Sequence, residues 1–236
     1  MTPLLQVRKL SKYFGGLHAV RDLDLVVEHG EILGVIGPNG SGKTTLFNVI
    51  SGIFRASSGS VRLLERYELT RLPPHRVTAL GVARTFQNQR LFNQMTVLQN
   101  VLVGMYCRTR AGLARILLGT PGSREEQRNA EARAFELLGI FGARLAPRRD
   151  EPAAGMNPTE TQELMRDIEK IRDRGVTIVV IEHDMRLVHG ICSRVVALDH
   201  GMKLVEGNFD TVRNHPAVLE AYLGHRAGER VAAAHA

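Results

Sequence analysis

The clearest early alternation of apolar and charged positions lies in "HAVRDLDLVVE", residues 18–28, where Leu23, Leu25 and Val27 recur at every second place. One apolar side with a period of two predicts a half-exposed strand. The next run, "EILGVIG" at 31–37, is nearly all apolar and ends in glycine. It predicts a short strand buried on both faces that runs into a loop. "KTTLFNVISG" keeps helical spacing until Gly52 stops it. "SSGSVRLL" reads as a turn and a strand, and "GVARTFQ" at 81–87 as a further strand.

From Thr96 to about Gly139 the pattern turns helical. Ser123 and Glu126 have capping-box spacing, and Ala130, Ala134 and Leu137 follow at helical steps. A third section begins at Asn157. Leu164, Ile168 and Ile171 mark a helical face, and "VTIVVI" at 176–181 predicts a buried strand. "MRLVHGI" predicts a helix, "RVVALDHGMKLVEG" a hairpin turning at Asp199–Gly201, and "PAVLEAYLG" a last helix. Strands alternating with helices imply an α/β fold with a mainly parallel sheet covered on both faces. The early alternating strands add an antiparallel sheet. One domain is expected over residues 1–224, with a helical insertion at about 90–146. The tail 225–236 lacks core signals and is expected to fray.

Composition narrows the class. A chain of 236 residues with 44% apolar content suits one large globular domain. No apolar run is long enough to cross a bilayer, and the N-terminus has no apolar signal core, so a cytoplasmic protein is expected. Cys107 and Cys192 form no CxxC pair and suggest neither a disulfide framework nor a zinc site. The net charge of +7 suits an anionic partner. Its basic residues are scattered, as on a solvated surface, and no nucleic-acid partner is expected.

The strongest motif is "GPNGSGKT", Gly37 to Thr44, which fits G-x-x-x-x-G-K-[ST] between a predicted strand and a predicted helix. Glycines let consecutive backbone N–H groups turn inward toward phosphate oxygens. The helix N-terminus adds partial positive charge. The expected nucleotide contacts are Gly37, Pro38, Asn39, Gly40, Ser41, Gly42, Lys43, Thr44 and Thr45. Lys43 is suited to the β- and γ-phosphates of ATP and the Thr44 hydroxyl to Mg²⁺.

Three further stretches follow in order: "RTFQN" at 84–88, "DEPAAGMNP" at 150–158 and "IEHDM" at 181–185. With the phosphate loop they resemble the ATP-binding subunits of ABC transporters. "RTFQNQRLF", "MTVLQNVLVG", "DEPAAGMNPTET" and "AVLEAYLG" more narrowly resemble the ATPase subunit of bacterial branched-chain (hydrophobic) amino acid importers, from about Leu4 to Gly224. The resemblance implies a P-loop NTPase of the ABC ATPase type. It places Phe14 against adenine and assigns Gln87 to Mg²⁺ and the attacking water. It makes Asp150 a Mg²⁺ ligand and Glu151 the base that polarises the water, and puts His183 at the γ-phosphate. Asn157 stands where most relatives carry an aspartate. The implied partners are a second ATPase subunit, transmembrane permease subunits and, indirectly, a periplasmic amino acid binding protein. The implied location is the cytoplasmic face of the inner membrane.

Between Gly139 and Asp150 the chain departs from that pattern. The family carries a signature of the type LSxGQ, then a helix and an apolar strand leading to the acidic pair. Here only "IFGARLAPRR" stands before Asp150. A helix, a strand and their loops amount to about 30 absent residues, which truncates the helical subdomain. The resemblance also implies that the absent strand belongs beside the phosphate-loop strand. Two functions follow: an ATPase that powers amino acid import, or a nucleotide-binding, hydrolysis-deficient copy or half of an asymmetric pair.

Overall fold

The computed structural model describes residues 2–85, 91–92, 94–105, 120–140, 161–182 and 184–233, with the side chains of 161 and 225–233 excepted. The chain divides into two compact units, Met1–Ala83 with Ile168–Ala236, and Arg84–Asp167.

The first unit holds two sheets. Strands β1 (Leu5–Phe14), β2 (Leu17–Val27), β4 (Ser58–Leu63) and β5 (Tyr67–Glu68) form an antiparallel sheet in the order β2-β1-β4-β5. Strands β3 (Ile32–Ile36), β6 (Ile178–Ile181), β7 (Arg194–Asp199) and β8 (Met202–Gly207) form a mixed sheet in the order β6-β3-β7-β8. β3 runs parallel to both β6 and β7, while β8 is antiparallel to β7.

The apolar runs of β3 and β7 follow from two buried faces. Leu33, Val35, Val196 and Leu198 enter a core shared with Leu10, Leu23, Leu25 and Val61 of the antiparallel sheet, and with Leu46 and Val49 of helix α1 (Lys43–Ile50). On the opposite face Ile36, Val195 and Ala197 meet Val188, Phe209, Val212 and Val218. Those four come from helices α6 (Met185–Ile191), α7 (Phe209–Arg213) and α8 (Pro216–Ala233). Helix α2 (Pro74–Ala79) adds Val77 to the first core. α8 continues through residues 225–233, where the sequence pattern predicts fraying.

The second unit contains α3 (Val97–Met105) and α4 (Pro121–Ile140), which pack against each other. Its buried apolar side chains include Val97, Ala134 and Leu138. Helix α5 (Thr161–Arg172) crosses the division between the units.

Four expectations are corrected. Ser123 does not cap α4: the helix begins at Pro121, and Thr120 Oγ1 accepts from the Ser123 N–H at 3.4 Å. Proline at the first helical position moves the cap three residues ahead of Ser123. Val82–Thr85 form no strand. The place beside β3 is not vacant, because β6 and β7 occupy its two sides. β6 itself is half-buried at all four positions, not buried. Among the described residues it is the end strand of its sheet, which leaves its outer side without a strand neighbour.

Candidate functional site

The phosphate loop starts where β3 stops. Gly37 has φ +147°, and a Cβ there would stand 2.1 Å from the Leu198 carbonyl oxygen. Only glycine lets the chain leave β3 this close to β7. Gly42 has φ +96° and a virtual Cβ 2.4 Å from the Ala19 carbonyl oxygen. These two contacts fix both ends of the loop against neighbouring backbone.

The loop is also held by hydrogen bonds. The Ser41 N–H donates to the Pro38 carbonyl at 3.2 Å, and the Leu46 N–H donates to the Gly42 carbonyl at 2.9 Å. The turn between β7 and β8 closes over it: the Gly201 N–H donates to the Ser41 carbonyl at 3.1 Å. The same Gly201 carbonyl accepts from the Arg21 N–H at 2.8 Å, so one turn joins β2 to the loop. Ser41 and Lys43 are buried, while Asn39, Gly40 and Thr44 are exposed at the rim.

Lys43 is the chemical centre. Its ammonium donates to the Gly37 and Pro38 carbonyls at 2.7 Å each and to Ser41 Oγ at 3.1 Å. The lysine is only 6% exposed. Burial pushes its pKa down, and the charge of Asp199 partly opposes that. Neutral carbonyls offset only part of the cost of burying a cation. An anion at the loop would offset more. Helix α1 has Gly42 at its N-cap, no side-chain cap and no acidic residue in its first turn. Its opening amides therefore present partial positive charge that no acidic side chain of the helix's own first turn offsets. The donor set of amides, ammonium and an exposed hydroxyl fits the phosphates of a nucleotide.

Phe14 ends β1 and is 40% exposed. Its ring meets Phe54 edge-on at 5.2 Å, and Lys12 Nζ sits 4.7 Å from its centroid. This makes an exposed aromatic surface with a cation, suited to a base carrying phosphates. Thr45 lies half-buried in the first turn of α1. Gln87, Asp150, Glu151, Asn157 and His183 lie outside the described residues. Of the three expected metal ligands, Thr44, Gln87 and Asp150, Thr44 is described. Cys107 also lies outside, and burial pushes the Cys192 thiol up to about 11.

The sequence reading missed four residues that shape the loop: Ala19, Leu198, Gly201 and Tyr222. Tyr222 Oη accepts from the Gly37 N–H at 2.9 Å. The motif "LDHG" signals a turn, but nothing local says that the turn packs on a loop far earlier in the chain.

Comparison with known proteins agrees with this geometry. The family model described as ABC transporter matches residues 20–157, and that described as branched-chain amino acid ATP-binding cassette transporter matches 202–228. The high-affinity branched-chain amino acid transport ATP-binding protein LivG of Salmonella typhimurium is 41% identical, covering 94% of this chain and 98% of the relative. BraF of Pseudomonas aeruginosa, named for the same transport, is 38% identical over the same shares. The solved ADP conformation of MJ1267, an ATP-binding cassette of an ABC transporter, is similar at a TM-score of 0.80 with 26% identity, covering 95% of this chain and 100% of that one. The alignment to LivG spans 251 positions, yet 94% of 236 residues is about 222, so about 29 positions of the relative have no counterpart here. That shortfall is close in size to the stretch of about 30 residues expected to be missing before Asp150.

Proposed function

The chain belongs to the ABC transporter ATP-binding family, and on that premise we propose that it is the ATP-binding subunit of an importer for branched-chain or other hydrophobic amino acids. The observation that carries the reading is the buried Lys43 ammonium, held by its own loop's oxygens at the uncapped start of α1. The transported class rests on the match of residues 202–228 and on the names of LivG and BraF. Nothing in the matched relatives favours the hydrolysis-deficient alternative.

In this reading ATP arrives with its phosphates over the loop. Lys43 exchanges the Gly37 and Pro38 carbonyls for phosphate oxygens, so its charge moves from neutral partners to an anion. The loop amides and the α1 N-terminus share the remaining charge. Phe14 offers its ring face to the adenine. Mg²⁺, when bound, would neutralise phosphate charge, and Thr44, Asp150 and Gln87 would hold it. Glu151 orients and polarises the attacking water, and His183 steadies the γ-phosphate. Catalysis is then positioning and electrostatics.

A second cassette would complete the site across an interface, and permease subunits would receive the motion. A periplasmic binding protein would deliver the amino acid. No described helix is long and apolar enough to cross a membrane. Association with the inner membrane's cytoplasmic face would therefore run through the permease subunits.

The test is Mg-ATP binding and hydrolysis by the purified chain beside Lys43→Ala. Hydrolysis lost in Lys43→Ala supports the reading. Binding without turnover would overturn the motor and leave a nucleotide-binding protein, and no binding would overturn both.

A further inference from the structure

We infer that Tyr222, on the C-terminal helix, is a positioning residue of the nucleotide site, its hydroxyl fixing the backbone of Gly37 at the entry to the phosphate loop. The inference rests on the nucleotide reading above and adds a part that the phosphate-loop motif does not contain.

Gly37 is the pivot between β3 and the loop. The ladder between β3 and β7 ends at the pair Ile36–Ala197. The next amide, that of Gly37, is buried and needs an acceptor from elsewhere. Tyr222 Oη supplies it at 2.9 Å, across 185 positions of chain. No side chain can steady this residue, since a Cβ would strike Leu198 at 2.1 Å. Its carbonyl is engaged by Lys43 Nζ at 2.7 Å. Two bonds therefore set the orientation of the Gly37 peptides, one from Lys43 and one from Tyr222.

The two bonds differ once phosphate is bound. Lys43 must turn to the phosphate and release the Gly37 carbonyl. Tyr222 has no reason to move. Its ring packs against the cluster of Ile36, Val188 and Val218, on the opposite face of the sheet from α1. Burial raises the phenol's pKa, so the hydroxyl stays neutral and able to accept. The restraint from Tyr222 thus matters more in the loaded site than in the empty one. It also connects the segment matched to branched-chain transporters, 202–228, to the loop that holds nucleotide.

Tyr222→Phe keeps the ring and removes only the acceptor. In the full chain it should weaken Mg-ATP binding by about 5- to 10-fold, the worth of one hydrogen bond to a buried amide. The Gly37 amide, followed by ¹⁵N NMR, should exchange faster in the empty protein. Leu219→Ala, on the same helix with its side chain 48% exposed, should leave both unchanged. A role in packing alone predicts the opposite: unchanged affinity in folded Tyr222→Phe, with at most a lower melting temperature. Equal affinities, or an equal loss in Leu219→Ala, would overturn the inference. If the unaltered chain binds no Mg-ATP, the nucleotide reading fails, while Gly37 exchange still reports whether the Tyr222 bond exists.

Discussion

The two strands beside β3 resemble each other in sequence and differ in surroundings. β7 is buried at four successive positions, Val195 to Leu198, whereas β6 is half-exposed at all four of its own. Both run parallel to β3, and both have an apolar centre. β7 has β8 on its outer side. β6 is the end strand among the described residues. An apolar strand thus records that a fold covers it but not what supplies the cover. Apart from the β2 residue Ala19, the phosphate loop leans on the better-covered side, through Leu198, Gly201 and Tyr222. The LivG relative carries about 29 positions without a counterpart here.

The comparison can be broken most severely at Gly37. Gly37→Ala forces a methyl into the Leu198 carbonyl and a backbone conformation that side chains avoid. The expected loss is about 3 kcal/mol or more of stability, seen in urea unfolding, together with nucleotide binding. Next comes repair of the other side. Inserting about 30 residues with a family-like signature, helix and strand before Asp150 should raise Mg-ATP hydrolysis by about 100-fold, the scale of adding a transition-state charge donor. It should also slow hydrogen exchange along β6. An inserted chain with unchanged turnover would show that this stretch does not limit activity.

Smaller effects sharpen the contrast. Val196→Ala in β7 should cost about 2 kcal/mol and Val180→Ala in β6 about 1, because half-exposed methyl groups recover less on burial. Equal losses would show β6 to be as well covered as β7. The smallest effect is electrostatic. Arg194 of β7 pairs with Glu31 at 2.7 Å and with Glu206, and donates to the Val26 carbonyl at 2.6 Å. Burial raises the Glu206 pKa, but Lys203 and Arg194 outweigh it and leave a net lowering. A depressed folded value adds stability above the ordinary carboxylate pKa of 4.5, which is lost as pH falls through the folded value. Glu206→Gln should flatten that acid limb by about 0.5 kcal/mol in thermal melts between pH 5 and about pH 3.

What the sequence made legible was local. Gly37 to Thr44 could be read because one loop and one helix start contain the phosphate donors in consecutive residues. The β7–β8 hairpin could be read because its turn residues, His200 and Gly201, both take positive φ between two apolar runs. β1 escaped because its burial skips from Val7 to Leu10 across a bulge at Lys9, φ 42°, which breaks the period of two. Thr120 escaped because proline displaced the cap. Ala19 meets the loop from an earlier strand, and Leu198 and Tyr222 only after the chain has returned from far away, and no spacing rule spans those separations. The half-exposure of β6 was illegible for the same reason: it depends on neighbours, not on its own four residues.

The turn at Gly201 has a consequence for the protein's birth. Ser41 leaves the ribosome early, but the residue that closes over its carbonyl follows 160 positions later. At about 5–20 residues per second, that gap is roughly 8 to 30 seconds of synthesis. During that interval the nascent chain carries a complete phosphate-loop sequence without the turn that shapes it. A chain whose synthesis stops before Gly201 therefore has every residue of the loop but lacks the turn that is bonded to it.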